Sequence, residues 1–265
     1  MPLAGHAFLA LWNDIADARV ADYDQWHTLE HVPERASVTG FRGARRYVNR
    51  DHAWHRYFTL YDVDTLAAFN HPEYRDVVDH PTPWTRSMRP DFSNFLRAIC
   101  SVTYSEGTGV GGAIACLCVP AHVVEADLHA ALERARKLPR INGAHAGSRT
   151  EPAIEMPFKP ADAAPVPAFD RVALVEGLDR AACDVALSAL RSSLALEQLA
   201  GHCTSGTFDL AFVFPGSDPA AAARHRRSGW PLDRASSVDR ELDAGDEPAR
   251  IARQIEARGR DVFGR

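Results

Sequence analysis

The sequence predicts an α+β protein made of two tandem ferredoxin-like repeats. Two observations carry this prediction. Over residues 1–106 the strand-like and helix-like segments follow the order β-α-β-β-α-β, which is the split βαβ pattern. The same order returns over residues 107–215. Because one such unit buries only one face of its sheet, its repetition in a single chain implies that the two sheets pack together.

The segments of the first repeat are defined by their periodicity and by the residues that end them. In chain order they are a strand, a helix, two strands, a helix and a strand, at residues 6–12, 18–36, 41–48, 54–63, 64–78 and 95–104. Thr39 and Gly40 end the first helix, and Asp64 and Thr65 can cap the second. The proline-rich segment 80–84 is predicted to be a loop.

The second repeat follows a glycine-rich linker at residues 105–111. Its strands and helices are predicted, in chain order, at residues 112–119, 125–138, 144–149, 169–178, 180–194 and 208–214. A loop rich in proline and alanine occupies residues 152–167. From residue 216 to residue 265 the chain turns polar, with one amphipathic helix near residues 247–257, so we expect a C-terminal tail outside the two repeats.

The composition argues against several classes of protein. Hydrophobic residues make up 46% of the 265-residue chain, enough for a packed core, and the net charge of -5 argues against nucleic acid or an anionic membrane as partner. The longest apolar run, residues 113–120, is too short to span a bilayer, and no signal peptide is expected. Five scattered cysteines fit a reducing compartment better than a disulfide framework, which predicts a cytoplasmic protein.

The first helix carries an unusual mixture of polar side chains. With Glu30 at its edge, one face of the helix gathers Val20, Tyr23, His27, His31 and Glu34. A helix that packs on a sheet normally fills such a face with Leu, Ile or Val. Unpaired polar groups on a buried face destabilise the fold by several kcal/mol, so this face calls for a functional explanation.

Three interpretations of the two histidines stay open at this point. As general acid/base groups, His27 and His31 would work in a cleft between helix and sheet, with Glu30 or Glu34 as the orienting carboxylate. As metal ligands, they match the spacing H-x-x-E-H, although Pro33 follows at once and the ferredoxin-like context differs from that of metalloproteases. As surface residues, they would only pair with neighbours along the helix.

A second group of residues consists of candidates for binding a substrate. The full set is Tyr23, Trp26, Arg45, Tyr47, Tyr57, Tyr61 and Trp84. Arg45 and Tyr47 share one face of their strand, and an inward arginine can hold a carboxylate or enolate. Tyr57 and Tyr61 share one face of the next strand and can line an aromatic pocket, while Trp84 can act as a lid. Each residue also has a structural explanation, as a surface arginine, a core aromatic residue or part of a loop.

These motifs resemble the EthD-like branch of the dimeric α+β barrel superfamily over residues 5–105. The resemblance rests on Trp26-His27…Glu30-His31-x-Pro33-Glu34-Arg35, on Gly40-Phe41 followed by Arg45-Arg46-Tyr47, and on Tyr57…Leu60-Tyr61-Asp62. It implies that two ferredoxin-like units pair face to face into a barrel, with a small-molecule pocket between sheet and helices. Because both units lie in one chain here, the barrel would be pseudo-dimeric and close within a monomer, and a homodimer stays open as an alternative. His27 and His31 match the helix histidines of that family.

The resemblance also carries expectations about function. Relatives of this branch include cofactor-free monooxygenases, polyketide cyclases, decarboxylases and lactone isomerases, and more distant ones bind haem. The chain is therefore expected to be a small-molecule enzyme with cofactor-independent histidine chemistry of lyase, isomerase or oxygenase type, on an aromatic or polyketide-like substrate, without a metal. The alternatives are a non-catalytic metabolite-binding protein and a metal or haem enzyme with His27 or His31 as ligand.

The second repeat serves as an internal comparison. Aligning the glycines that follow the two helices places Ala130 opposite His27 and Arg134 opposite His31, with His129 offset by one position. The second repeat has therefore not kept the full set of polar residues. This difference predicts one active pocket in the first repeat and one structural half.

Overall fold

Eight antiparallel strands form one closed barrel in the computed structural model, which describes residues 3–51, 54–150, 168–200 and 204–216. The strands are β1 (Ala7–Ile15), β2 (Phe41–Val48), β3 (Tyr57–Val63), β4 (Phe92–Gly107), β5 (Ala113–Val119), β6 (Ile141–Thr150), β7 (Arg171–Gly177) and β8 (Ser205–Pro215). Around the barrel their order is β1-β3-β2-β8-β5-β7-β6-β4. The predicted fold class, an α+β protein with a barrel closed within one chain, is confirmed.

The two halves of the barrel have the same internal arrangement. The first half runs β4-β1-β3-β2 and the second runs β8-β5-β7-β6. The halves meet where β2 pairs with β8, from Gly43↔Pro215 to Val48↔Asp209, and where β4 pairs with β6, from Ile99↔Thr150 to Gly107↔Gly143. The chain thus removes both free sheet edges of each half, which would otherwise be open to pairing with other chains.

Helices cover the outside of the barrel. They are α1 (Val20–Trp26), α2 (Val32–Ala36), α3 (Pro72–Asp79), α4 (Pro83–Met88), α5 (Glu125–Arg136) and α6 (Arg180–Ser193). In the second half, aliphatic side chains of α5 and α6, such as Leu132 and Leu187, pack on the sheet through Leu117 and Val175. No helix in the described ranges is long and apolar enough to cross a membrane.

The interior of the barrel is a packed core. A cluster of buried residues drawn from the strands and the segments beside them, with no helix residue among them, includes Phe8, Trp12, Tyr47, Phe58 and Phe208. The alternate residues of the same strands face the helices, for example Leu9 and Tyr61. This alternation follows from the two-residue period of a strand. A site for small molecules therefore has to lie on the outer, helix-covered side.

Several element boundaries differ from the predicted ones. The predicted loop at residues 80–84 leads into helix α4, because Thr82 caps its N-terminus by accepting a hydrogen bond from the Thr85 amide and Pro83 suits the first helical position. The predicted helix at residues 64–78 is a short 3₁₀ turn, Leu66–Asn70, followed by α3. Strand β4 extends into the predicted linker because it pairs with β6 as far as Gly107.

The division into domains stays a prediction. The predicted border between residues 106 and 107 falls at the end of β4, inside one continuous barrel. The predicted loop at residues 152–167 lies outside the described residues, as does the predicted C-terminal tail after residue 216 with its helix.

Candidate functional site

Both candidate histidines lie in a π-helical turn, His27–His31, which joins α1 to α2. The three segments form one continuous helix over residues 20–36, which we call the histidine helix. The Val32 amide donates to the carbonyl of His27, five residues back. Pro33 explains the wider turn, since proline has no amide hydrogen and its ring collides with the carbonyl four residues before it in a regular α-helix. Turns of this type occur often at functional sites.

The π-helical turn also changes which side chains face the barrel. At a uniform 100° per residue, Leu29 and Val32 fall together on the side away from the histidines. In the structure Val32 is fully buried in the core, whereas Leu29 is 46% exposed. The extra residue in the turn rotates α2 relative to α1, which explains why Val32 is buried, and both histidines line the space between the helix and the sheet.

A cavity of about 80 Å³, partly open to solvent, lies in that space. Its aromatic lining consists of Tyr23, Trp26, Tyr61, Tyr74, Phe92 and Phe95. Its charged or titratable nitrogen groups belong to His27, His31, Arg35, Arg89 and Arg97. Within the described part of the chain no Asp or Glu lines the cavity. The cavity therefore combines an aromatic wall with a surplus of hydrogen-bond donors.

His27 is held by its neighbours but keeps one free nitrogen. Its Nε2 lies 3.3 Å from the hydroxyl of Thr59, and its ring stacks on Tyr23 with 5.2 Å between centroids. Its Nδ1 is buried and has no hydrogen-bond partner among the described residues. In the tautomer whose Nε2 donates to Thr59, Nδ1 carries the lone pair, the form required of a base.

His31 lies beside His27 on the same wall. The two imidazole centroids are 5.6 Å apart, and the His31 ring lies 4.3 Å from Trp26. Its Nδ1 is also buried without a hydrogen-bond partner in the described ranges. Two neighbouring imidazoles that line one small cavity thus each keep a nitrogen atom without a partner in the described ranges.

Both imidazoles are neutral at pH 7. Burial lowers the pKa of His27 well below the ordinary value, and the positive charge of Arg46 lowers it further. Burial likewise lowers the pKa of His31, with additional lowering by the charges of Arg35, His27 and Arg89. A neutral imidazole can accept a proton at one nitrogen and donate at the other, so both groups are suited to proton transfer.

Tyr61 supplies a hydroxyl to the same cavity. The residue is fully buried, and its hydroxyl has no hydrogen-bond partner within the described ranges. Burial raises the pKa of Tyr61, so the phenol keeps its proton at physiological pH. A protonated phenol can donate a hydrogen bond to an oxygen on which negative charge develops.

The two carboxylates expected to orient the histidines lie elsewhere. Glu30 accepts hydrogen bonds from Thr82 at 2.5 Å and Thr85 at 3.3 Å, and Thr85 accepts one from the Trp26 indole at 3.2 Å. Burial raises the pKa of Glu30, and the two threonine hydroxyls partly oppose that rise. Glu34 lies 3.5 Å from the guanidinium of Arg35. Neither carboxylate lines the cavity; Glu30 positions Trp26 and α4 from behind.

The structure brings three of the seven expected binding residues to the cavity: Tyr23, Trp26 and Tyr61. Tyr57 lies behind this wall with its ring 4.2 Å from that of Tyr23, and the Trp84 indole donates to Asp22 at 3.0 Å. Neither Tyr57 nor Trp84 is part of the lining.

Arg45 and Tyr47 do not line the cavity, contrary to the expected site. Their face of β2 points into the barrel interior, on the opposite side of the sheet from the cavity. Tyr47 packs in the interior core, and Arg45 is held by Asp62 at 3.0 Å and Glu176 at 2.5 Å. Strand alternation correctly pairs the two residues, but it does not show which side of the sheet carries the site.

The site also contains residues that the sequence did not single out. Thr59 lies between two expected tyrosines, and strand alternation already places it on their face. Arg35 belongs to the motif of the first helix, yet no binding role was expected for it. Arg89 and Arg97 carry no sequence signal, because they reach the cavity from separate elements.

The equivalent helix in the second half has no comparable cavity lining. The buried residues of α5 are Leu128, Ala131, Leu132 and Ala135, all aliphatic, and Arg134 is exposed. His129 lies at the side of this helix, with Nε2 3.1 Å from the hydroxyl of Thr103. The contrast between the two halves fits the expectation of a single pocket.

Comparison with known proteins supports the fold but does not identify an activity. The sequence matches no protein-family model, and no curated protein sequence is significantly similar to it. A solved structure described as an anthrone oxidase-like protein superposes with a TM-score of 0.55 at 8% identity, covering 83% of this chain and 97% of that one. A proposed monooxygenase from Lactobacillus acidophilus gives a TM-score of 0.42 at 10% identity, covering 80% and 96%. A proposed chlorite dismutase gives 0.42 at 12% identity, covering 83% and 98%.

The first of these likenesses shows that the two chains share a fold. At such low identity it transfers neither an activity nor a site residue. Membership of the EthD-like branch stays a prediction, carried by the motifs of the first half.

Proposed function

We propose that the protein is a small-molecule enzyme that uses cofactor-independent acid/base chemistry of lyase, isomerase or oxygenase type. One observation carries the proposal. Three residues that line the cavity each carry a buried polar atom without a partner in the described ranges: Nδ1 of His27, Nδ1 of His31 and the hydroxyl of Tyr61. Buried polar atoms are normally paired, so atoms that stay unpaired in a cavity are candidates for contact with a substrate.

Each group has a role that follows from its environment. His27 is the general base: its Nδ1 takes a proton from a substrate carbon next to a carbonyl, while Thr59 fixes the ring. Tyr61 donates a hydrogen bond to the enolate oxygen that develops. His31 is the partner: it accepts that proton from His27 at one nitrogen and donates one to the product from its other nitrogen, so both imidazoles end neutral. General acid/base catalysis by a positioned group accounts for about 10²–10⁴ in rate.

The size of the cavity limits the substrate. At about 80 Å³ the cavity has room for several waters, whereas a cavity of about 150 Å³ holds a benzene molecule. The enclosed part is therefore smaller than a whole ring requires, and an aromatic or polyketide-like substrate would extend into the open mouth of the cavity. The aromatic lining favours such a ring over an aliphatic chain.

A haem group does not fit this site. The cavity of about 80 Å³ is far below the roughly 300–1,000 Å³ of clefts that hold large ligands. The Trp26 ring already covers the His31 imidazole, with 4.3 Å between the two centroids. Within the described ranges no group of three or more His, Cys, Asp or Glu side chains is arranged to hold a metal ion.

The proposal is tested by a substrate screen with His27→Ala and a matched control. Small aromatic ketones, lactones and polyketide-like compounds are offered to the wild-type protein, and kcat is then compared between variants. His27→Ala is expected to lower kcat by at least about 100-fold with the fold intact by circular dichroism. His129→Ala, which removes the hydrogen-bonded imidazole of the second half, should leave kcat unchanged.

Two results would contradict the proposal. Full activity of His27→Ala would remove the general base. Saturable binding without turnover, with an affinity indifferent to His27→Ala, would instead identify a metabolite-binding protein. Elemental analysis of untagged protein decides the remaining alternative, because a stoichiometric metal would make the two histidines ligands.

A further inference from the structure

Three arginines converge on the cavity from three separate elements. Arg35 comes from α2, Arg89 from the 3₁₀ turn after α4, and Arg97 from β4. Within the described ranges the lining holds these three guanidinium groups and no carboxylate. An excess of positive charge in a partly buried cavity is unfavourable unless an anion enters it.

Helix α3 positions all three guanidinium groups. Arg35 donates to the carbonyl of Val77 at 2.7 Å, and Arg89 donates to the carbonyl of Val78 at 3.5 Å. Both carbonyls belong to the last turn of α3, where the partial negative charge of a helix attracts cations. Arg97 donates to the hydroxyl of Tyr74, on the same helix, at 2.7 Å. The three groups are thus fixed before any ligand arrives.

At least one of the three guanidinium groups, that of Arg97, has no carboxylate partner in the described part of the chain. Arg35 has Glu34 at 3.5 Å. No carboxylate within the described ranges lies within salt-bridge distance of Arg97, whose partner is a neutral hydroxyl. Burial lowers the pKa of Arg89, and the nearby charges of Arg35 and Arg86 lower it further, which shows that like charges crowd together here. A planar guanidinium that is already oriented is well suited to binding a carboxylate.

We propose that the cavity binds an aromatic carboxylate, with its ring among Trp26, Tyr61 and Phe92 and its carboxylate on the guanidinium groups of Arg89, Arg97 and Arg35. This inference deepens the proposed function and rests on it for the assignment of the cavity as the substrate site. It assigns the charge of the substrate, which the proposed acid/base chemistry leaves open. The carboxylate anchors the molecule, and the two neutral imidazoles face its reacting part.

The anion also affects the histidines. Arg35 and Arg89 contribute to the low pKa of His31, together with burial and His27. A bound carboxylate neutralises part of that positive charge and favours the protonated imidazole. Binding of the substrate therefore makes His31 a better proton acceptor than it is in the empty cavity.

The test is a titration of the full-length protein with benzoate, benzamide and inorganic phosphate. Binding is followed by calorimetry and by the intrinsic tryptophan fluorescence of the protein, to which Trp26 in the cavity contributes. Benzamide has the shape of benzoate without its charge, and phosphate has charge without a ring. We expect benzoate to bind at least about tenfold more tightly than either probe, the difference that hydrogen bonds to a charged group supply.

Arginine variants test which side chains bind the carboxylate of benzoate. Arg97→Gln and Arg89→Gln are each expected to weaken benzoate binding at least about tenfold, and to leave benzamide binding nearly unchanged. Arg134→Gln makes the same change at an exposed position of α5 and should have no effect. If Arg97→Gln fails to fold, Arg89→Gln, from a different element, carries the test.

Any one of four results would overturn the inference. In the wild-type protein these are equal affinity for benzoate and benzamide, tighter binding of phosphate than of benzoate, or no saturable binding of benzoate. The fourth is an unchanged affinity for benzoate in the folded arginine variants. These outcomes are independent of turnover. Benzoate binding that depends on the arginines, together with full activity of His27→Ala, would retain the anion site and reject the proposed chemistry. The reverse pair of results would reject only the anion site.

Discussion

At the scale of single residues, the site depends on two imidazoles that are kept neutral by burial. The histidine helix carries His27 and His31 into an aromatic cavity, and solvent is too scarce there to stabilise a charged ring. The same burial leaves the phenol of Tyr61 protonated. A proton acceptor and a hydrogen-bond donor therefore coexist at neutral pH.

Neutral burial of these histidines predicts a loss of stability in acid. Above the ordinary histidine pKa both the folded and unfolded states are neutral, and the pH has no effect through these groups. As the pH falls below about 6.5, these histidines become protonated in the unfolded chain but not in the folded chain. The free energy of unfolding therefore falls by up to about 1.4 kcal/mol per pH unit for each histidine. Below the folded-state pKa the loss stops growing.

The measurement is urea unfolding of wild-type protein and His27→Gln at pH 7 and pH 5. The drop in the free energy of unfolding between these pH values should be smaller in His27→Gln by up to about 2 kcal/mol. His129→Gln is the control and should keep the wild-type drop, apart from effects of its own contact with Thr103. An unchanged drop in His27→Gln would show that His27 takes up a proton normally in the folded state.

At the scale of elements, two local features shape the cavity. The π-helical turn places both histidines on the barrel side, and α4 closes the cavity next to Trp26. The elements are coupled through Glu30, which accepts from Thr82 and Thr85 of the α4 N-terminus, while Thr85 accepts from Trp26. A carboxylate expected to serve catalysis thus holds a helix in place.

Thr82→Ala should reveal this coupling. The substitution removes the N-cap of α4 and the hydroxyl that donates to Glu30. We expect a loss of about 1–2 kcal/mol in the free energy of unfolding, measured with urea. Thr82→Ser keeps the hydroxyl and should lose less than half as much. Equal losses in the two variants would assign the effect to the methyl group rather than to the cap.

At the scale of the whole molecule, a buried charge network joins the two halves of the barrel. Glu176 of β7 lies 2.5 Å from Arg45 of β2 and 3.3 Å from Nε2 of His145, and it accepts from the Gly111 amide at 2.8 Å. Arg45 also binds Asp62 of β3. Burial alone would raise the pKa of Glu176, but His145 and Arg45 outweigh it and lower that pKa to about 2.

Glu176→Gln should therefore destabilise the barrel in a pH-dependent way. Because the pKa of Glu176 falls from about 4.5 to about 2 on folding, its contribution is complete above pH 4.5 and is lost as the pH falls towards 2. At pH 7 we expect a loss of about 3 kcal/mol in the free energy of unfolding, the lower end for breaking a buried ion pair, since Arg45 keeps Asp62.

The same unfolding experiment at pH 3 should show a smaller difference between Glu176→Gln and wild type. Glu133→Gln, at an exposed ion pair with Lys137, is the control and should change stability by less than about 1 kcal/mol. A difference for Glu176→Gln that is the same at pH 7 and pH 3 would mean that the charge of Glu176 does not contribute.

Much of the molecule could be predicted from the sequence because its signals are local. The strand and helix order, the face of Thr59 and the unusual helix of His27 and His31 all follow from periodicity within one element. Helix α4 differs from the predicted loop because prolines at this density indicate a loop, although Pro83 after Thr82 also fits a helix start. A uniform helical wheel also misplaces Val32, which is buried, because Pro33 widens the preceding turn into a π-helical one.

The sequence by itself determined the α+β class, the two successive β-α-β-β-α-β units and the pair of histidines on one helix. Only the tertiary structure decided that Arg45 faces the barrel interior while Arg35, Arg89 and Arg97 meet at the cavity. The physical reason is that periodicity relates residues a few positions apart, whereas these positions depend on which face of a sheet the helices cover. Burial across the whole barrel determines which face the helices cover, and the residue spacing within a single segment does not show it.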